Sequence, residues 1–572
     1  MRFKEVAEYF DRIESIPSRN KMISVLSELI NKASIDEVKI LSYLIQGQID
    51  APFRAVRFNI AEKLCEKAIS DAYGVSQASV STKYKRLGDL GLVAESLSKG
   101  GGRYSVKDSY TRLVSISEVS GKGSVEKKVK LLSELLKKSS GVEGKYIVRI
   151  VLGRMRLGAS DYTFLDALSV AKKGDKSFRS DLERAYNLCS DLGKVSEVFL
   201  KKGKKGLDKF QVDVFSPIRM ALAQRLSTSK DIIKKIGKCA IEPKYDGFRI
   251  QIHKKGSKVR IFSRNLEDMT DMFPELVKGS REIKSREVVF EGEAIAYDES
   301  SDQFLPFQIT VKRKRKYEIE RMAKDYPLVC FVFDVLYLNG KDLTKKSYAD
   351  RRKALSKLVK PGGVFRLTDV IITGNSNEIE KIFDQYISAG LEGVLAKDLK
   401  AEYTAGARKY AWIKLKRTYK GKLSDTVDLC IVGYLRGRGK RAKLGIGSLL
   451  GATYNRKKDI FETLAKVGSG LTEKGTVELK KQLDKFKVKT KPARLDSKLK
   501  MDVWVKPQVV VEVFADEITA SPNHTCAKDK FRGEGLSLRF PRLVKLRPDK
   551  KPEDATSSKE VVSMFKRQRK KK

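Results

Sequence analysis

Ile241-Glu242-Pro243-Lys244-Tyr245-Asp246-Gly247-Phe248-Arg249 sets one lysine among carboxylates, an arginine and a glycine. The residues that follow decide how it is held. Phe248, Ile250 and Ile252 alternate with Arg249, Gln251 and His253, the period of two of a half-buried strand. Lys254-Lys255-Gly256 predicts a turn, and Val259, Ile261 and Ser263 share one face of a return strand. Lys244 therefore stands at a strand end. An amine attacks an electrophile only when deprotonated, and a free lysine, with a pKa of ~10.4, is charged at neutral pH. Burial and neighbouring cations lower that value, so a nucleophilic Lys244 is expected to be tuned downward. Gly247, lacking a Cβ, lets backbone approach a ligand. Taken alone, Lys-x-Asp-Gly more often marks a solvated surface hairpin; the residues downstream favour a site.

Phe262-Ser263-Arg264-Asn265 follows the hairpin, which brings Arg264 near whatever Lys244 holds. Val288-Val-Phe-Glu291-Gly-Glu293-Ala-Ile-Ala reads as an apolar strand with two carboxylates on one face, costly unless they meet a ribose, a cation or Mg²⁺. A structural ion pair is the alternative. Val329-Cys-Phe-Val-Phe333-Asp334-Val-Leu-Tyr-Leu is a second buried strand, in which composition alone makes Phe333 a core residue. Lys312-Arg-Lys-Arg-Lys316 reads as an exposed positive face. Leu391-Glu392-Gly-Val-Leu-Ala-Lys397 presents a carboxylate and a lysine, and Arg408 precedes Trp412-Ile-Lys414-Leu-Lys416, whose period of two aims both lysines to one side. Like charges held together call for an anion, and a polyphosphate suits that geometry.

These stretches, in this order, resemble the ATP-dependent DNA ligases of the archaeal and eukaryotic replicative type, members of the covalent lysine nucleotidyltransferases. The nucleophile motif, Arg264, Glu293, Phe333, Glu392, Lys414 with Lys416, and the ending Arg547-Pro-Asp549-Lys550 span most of the chain. The resemblance implies ATP as adenylate donor, Mg²⁺ or Mn²⁺, and nicked double-stranded DNA as partner. It implies Lys244 as catalytic nucleophile and Glu242, Arg249, Arg264, Glu293, Phe333, Arg408, Lys414 and Lys416 as nucleotide-binding residues. Glu242 is expected towards adenine, Phe333 as its stacking platform, Glu293 and Glu392 at the metal, and Arg547, Asp549 and Lys550 at the leaving pyrophosphate. Arg154 and Arg156, in Gly153-Arg-Met-Arg-Leu-Gly158, resemble a segment of the family's helical DNA-binding domain and are expected to contact DNA; spacing alone reads equally well as a solvated face. One departure is visible: Ser98 to Tyr104 holds no clean glutamine-plus-aromatic motif for a sliding clamp. RNA ligases and capping guanylyltransferases share the Lys-x-Asp-Gly nucleophile, and a non-catalytic nucleic-acid clamp is the reading from another class. The helical N-terminal block and the Arg-x-Asp-Lys ending favour DNA, and the retained charge cluster favours catalysis.

Composition agrees with a polyanionic partner: 118 Lys and Arg against 72 Asp and Glu leave a formal charge of +46 over 572 residues. Six cysteines without a C-x-x-C pair argue against a zinc module or a disulfide framework. With two histidines, an imidazole-based mechanism is improbable. No apolar run reaches the ~18 residues of a membrane span, and Met1-Arg-Phe-Lys-Glu-Val lacks a signal-peptide core, so the expectation is an intracellular monomer without membrane contact, cytoplasmic in a prokaryote and nuclear in a eukaryote.

The expected architecture is multidomain. An all-α DNA-binding domain occupies 1–208, with Ser34-Ile-Asp-Glu37 as a capping box, helical patterns near 59–73, 76–90, 124–138, 145–156 and 161–173, and Lys201 to Gly206 as a flexible basic linker. An α+β adenylation domain follows at 215–417. Short strands with Gly-rich turns then predict a C-terminal OB-fold β-barrel at 418–560, and 561–572 reads as a basic tail whose end, Lys566 to Lys572, is disordered and solvated. A hinge is expected near Arg417 to Lys422.

Overall fold

Ser34 caps the helix Ile35–Leu44 reciprocally: its hydroxyl accepts from Glu37 N and the Glu37 side chain accepts from Ser34 N. That is the arrangement the Ser-x-x-Glu spacing predicts. In the computed structural model, which describes all residues except 299–302, 306, 316, 360–362, 390, 417–425, 438–441, 471, 532 and 571–572, further helices span Glu62–Tyr73, Gln77–Leu87, Ser124–Lys137, Gly141–Val151 and Asp161–Lys173. The expected hinge falls outside the described residues. Lys201 to Gly206 is no flexible linker. It lies within the helix Leu192–Leu207, which kinks at Gly203, and the burial of Phe199 and Leu207 on either side holds the basic stretch in place.

The chain divides into two compact units, Met1–Tyr84 with Leu90–Lys416, and Lys85–Asp89 with Arg417–Lys572. Within the first, β1 (Leu222–Arg225), β2 (Cys239–Lys244), β3 (Phe248–Lys255), β4 (Lys258–Ser263), β5 (Glu287–Asp298), β6 (Gln303–Phe304), β7 (Leu328–Leu338), β8 (Lys341–Asp342), β9 (Phe365–Leu367), β10 (Ile371–Thr373), β11 (Gly393–Asp398) and β12 (Arg408–Lys416) build two sheets. One runs β1-β12-β11-β2-β10; the other runs β4-β3-β5-β7-β8, with β6 on β5 and β9 on β7. Ile241, Val394, Ile413 and Leu415 fill one side of the first sheet beneath Ile379 and Phe383, and Ile250, Ile252, Ile261, Phe290 and Val332 form the core of the second. Each such side chain, fully buried, contributes about 1.5–3 kcal/mol. Because β2 ends at Lys244 and β3 begins at Phe248, the Tyr245–Gly247 turn carries the chain from one sheet to the other. Gly247 is required there, since a Cβ would stand 2.4 Å from Ala294 O.

A seam joins the helices to these sheets. Phe53 meets Phe262 edge to face, Asn187 Nδ2 donates to Ala405 O at 2.9 Å, and Arg219 Nη2 donates to Asp161 Oδ2 at 2.8 Å. Gly406 has a φ of +65°, and a Cβ on it would lie 2.5 Å from Asn187 Oδ1.

The second unit holds β13 (Val427–Leu435), β14 (Ser448–Asn455), β15 (Ile460–Val467), β16 (Lys487–Val488), β17 (Leu495–Asp496), β18 (Val503–Phe514), β19 (Glu517–Ser521), β20 (Gly535–Arg539) and β21 (Arg542–Leu546). The sheet runs β16-β18-β13-β14-β15-β17, with β21 on β18 and a β19-β20 hairpin apart. Thr525 N and Cys526 N donate to Thr463 O, and Cys526 bridges Leu536, so β15 is continued towards β20 and the sheet curls into the expected OB-type barrel. Residues 561–570 of the expected basic tail are helical, within Ser558–Lys570, so the expected disorder is not found there, while Lys566 and Arg567 are exposed. Val561, Val562 and Phe565 recur at helical spacing and sink into the barrel core, which outweighs the basic composition of this segment.

Candidate active site

β2 and β11 pair antiparallel with Lys244 opposite Gly393 and Glu242 opposite Leu395. That register carries two ion pairs of reversed polarity. Lys244 Nζ lies 2.5 Å from Glu392 Oε2, and Glu242 Oε2 lies 2.7 Å from Lys397 Nζ. The first pair is part-exposed and the second is buried. Lys416, opposite Gly393 from β12, reaches the same Glu392 oxygen at 2.7 Å. Glu293, opposite Arg249 on β5, accepts from Gly247 N at 3.2 Å and acts electrostatically on Lys244.

The charge state of Lys244 reverses the expectation from sequence. Burial works to lower its pKa, but the attraction of Glu392, then of Glu293 and Asp246, outweighs burial and raises the amine above the ordinary lysine value. The depression expected there occurs at Lys414. Burial, followed by repulsion from Lys416, Lys244, Arg408 and Arg264, lowers the Lys414 pKa, and no carboxylate pairs with it among the described residues. Arg264 and Arg408 are exposed. Burial pushes Glu293 up to about 7 against the pull of Lys244 and Arg249.

Glu242, Arg249 and Phe333 are not presented as expected. Glu242 is 1% exposed, and its second oxygen accepts from Tyr348 O–H at 2.5 Å. Arg249 donates to Glu291 Oε2 at 2.8 Å and to Ala221 O at 2.6 Å. Phe333 is buried edge-on against Trp412, with the Arg249 and Lys397 cations over its ring. A buried charge needs a partner, so these groups are consumed by one another. Glu291 likewise does not join Glu293 at a ligand. It is fully buried and accepts from Gln251 Nε2, Tyr403 O–H and Arg249. His253 completes the network, taking a hydrogen bond from Phe215 N at Nδ1 and giving one from Nε2 to Gln251 Oε1, while burial pushes its pKa down to about 3. Arg313, within the expected exposed run, is buried on Glu275, whereas Lys312, Lys314 and Arg315 are exposed. Tyr348, Tyr403 and Gln251 support the site without being singled out by the sequence. Their partners lie far along the chain or on the opposite strand, and only the lysine in Leu391–Lys397 signalled anything locally.

Among the described residues no group of three or more His, Cys, Asp or Glu is arranged to hold a metal ion. Glu293 and Glu392 nevertheless both act on Lys244, and a pair of hard carboxylates is the donor set Mg²⁺ uses when phosphates complete its shell. The residues fit a metal in that mode.

The family described as ATP dependent DNA ligase domain matches residues 220–416, DNA ligase N terminus matches 2–169, and ATP dependent DNA ligase C terminal region matches 442–550. The chain belongs to the ATP-dependent DNA ligase family. A probable DNA ligase of Dictyoglomus turgidum is 46% identical over all of this chain and 99% of its own length, and the DNA ligase of Sulfurisphaera tokodaii is 42% identical over all of this chain and 98% of its own. A solved structure named Pmar-Lig_PreS3 shares the fold, with a TM-score of 0.57 at 18% identity, over 95% of this chain and 99% of that one.

For a DNA ligase of this family, the groups expected outside the central site are placed as follows. Arg154 is exposed beside Glu62, with Nη1 to Oε1 at 2.6 Å, and Arg156 adopts a left-handed φ of +61° in the same loop. In the second unit Arg547 pairs with Asp428, at 3.1 Å, and with Asp549, at 2.7 Å, while Lys550 reaches Asp428 at 2.6 Å. The Arg547 hydrogen bond holds Asp549 down to about 2. All six cysteines are free and buried, and no helix of the described residues is long and apolar enough to cross a membrane.

Proposed function

We infer that this chain seals single-strand nicks in duplex DNA through three phosphoryl transfers that consume ATP. In the first, Lys244 Nζ bonds to the α-phosphorus of ATP, the α–β anhydride breaks, pyrophosphate leaves with the electron pair, and the amine loses its proton. The 5′-phosphate at the nick then attacks the same phosphorus and releases the lysine. Finally the 3′-hydroxyl attacks the 5′-phosphorus, and AMP leaves as the strand closes. Such transfers are driven chiefly by positioning and charge stabilisation.

The observation that carries this reading is Lys244 at the turn between two sheets, touching Glu392, beside Lys414, which has no carboxylate partner among the described residues, and the exposed Arg264 and Arg408. Those cations and Lys416 hold phosphates. Glu392, in contact with the ammonium, is the nearest acceptor for its proton. Glu293 and Glu392 hold the divalent ion, which when bound neutralises phosphate charge. Glu242, Arg249 and Phe333 form the buried floor that fixes the nucleotide pocket, and Arg547, Asp549 and Lys550 orient the leaving pyrophosphate. Arg154 and Arg156 contact the duplex. The chain acts as a monomer inside the cell.

Incubation with α-labelled ATP and Mg²⁺ is expected to give a covalent protein–AMP adduct on Lys244, discharged by nicked duplex DNA. The Lys244→Ala variant is expected to form no adduct while still binding DNA. Label mapped to another residue, or retained in the variant, overturns the assignment.

A further inference from the structure

The first unit contains an open cleft of about 640 Å³ at the seam between the helices and β1 and β12. It shares Arg408 with the groups around Lys244 but not its other lining residues, and three guanidiniums line it: Arg19 and Arg179 from the helices and Arg408 from the start of β12. Glu183 is the one carboxylate of the described lining. Asp166, fully buried behind it, receives Arg19 Nη2 at 2.9 Å and Arg179 Nη1 at 2.5 Å. A guanidinium carries five N–H donors in a rigid fork, so the nitrogen spent on Asp166 orients each arginine; Arg19 keeps its other donors for an anion, and Arg179, whose Nε also lies 3.8 Å from Glu183 Oε2, keeps Nη2. Arg408 is exposed and has no ion-pair partner among the described residues. Gly158 and Ser160, also in the lining, directly follow the loop that carries Arg154 and Arg156.

We propose that this cleft seats a backbone phosphate of the duplex flanking the nick, held by Arg19 and Arg179 as the strand passes from the Arg154–Arg156 loop towards Arg408. This rests on the nick-sealing reading and adds DNA contacts to it. Two features select a phosphodiester. Arginine forks match phosphate oxygens bidentately. The cleft is open and spans helices and sheet together, as a continuous strand requires and a small enclosed ligand does not.

The test compares the full-length wild type with Arg19→Gln and Glu183→Gln. Arg19→Gln leaves Asp166 paired with Arg179, and a thermal melt checks that the fold persists. Binding to nicked duplex is measured across salt concentration, and adduct formation with ATP is measured without DNA. Arg19→Gln is expected to weaken DNA binding several-fold and to reduce the slope of log K against log salt by about 0.9, the value for one phosphate contact. Glu183→Gln is expected to tighten binding. In both, the KM for ATP in adduct formation stays at the wild-type value. An unchanged salt slope in Arg19→Gln overturns the proposal, as does a raised KM for ATP with unaltered DNA binding, which would give the cleft to free nucleotide. Loss of the adduct in the wild type would instead remove the underlying enzyme reading.

Discussion

At Lys244 the local sequence identifies the residue and misjudges its charge. Ile241–Arg249 marks the lysine, but only the approach of Glu392, more than a hundred residues away, reveals that carboxylates outweigh burial. The amine must therefore be deprotonated against that attraction. With its pKa above the ordinary value, the reactive fraction grows about tenfold for each pH unit below the pKa. The rate of adduct formation in single turnover is expected to climb with that slope from about pH 6 to 9. Glu392→Gln removes the strongest attraction, so its residual rate is expected to level off at lower pH than the wild type. A profile independent of pH in both proteins would show that the proton on Lys244 does not limit the step.

The same contrast holds for elements. Alternation from Phe248 to Ser263 is enough to predict the β3–β4 hairpin, because period-two patterning is a property of the segment itself. Lys201–Gly206 and the helix Ser558–Lys570 depart from the reading of their basic composition, which says little when a few apolar side chains find a core. Phe565→Ala is expected to destabilise the second unit by about 3–5 kcal/mol, the usual cost of emptying a buried phenylalanine site, as read from denaturant unfolding. A change within about 0.5 kcal/mol would show that the ring does not pack into the barrel core. At the seam, Gly406→Ala places a Cβ against Asn187 at a left-handed φ. It is expected to cost about 1–3 kcal/mol and to lower the melting temperature of the first unit.

For the whole molecule, the formal charge of +46 points to a polyanion without saying where it lies. Arg154→Ala combined with Arg156→Ala is expected to weaken binding to nicked duplex and to reduce the salt slope by up to about 1.8, with adduct formation unchanged. A slope equal to wild type would return both arginines to a solvated face. The domain classes, the OB-type barrel and the residues around Lys244 were legible because each is written in a contiguous stretch: a hydrophobic period, a Gly-rich turn, a short motif. The sequence by itself thus determined the order of the domains and which charged residues gather near the lysine. Only the tertiary structure decided which of those charges neutralise one another. It closed Glu242 on Lys397 and Arg249 on Glu291, and left Lys414 without a carboxylate among the described residues. Coulombic pairing depends on distance through space, and residues far apart in the chain acquire that distance only when the sheets assemble.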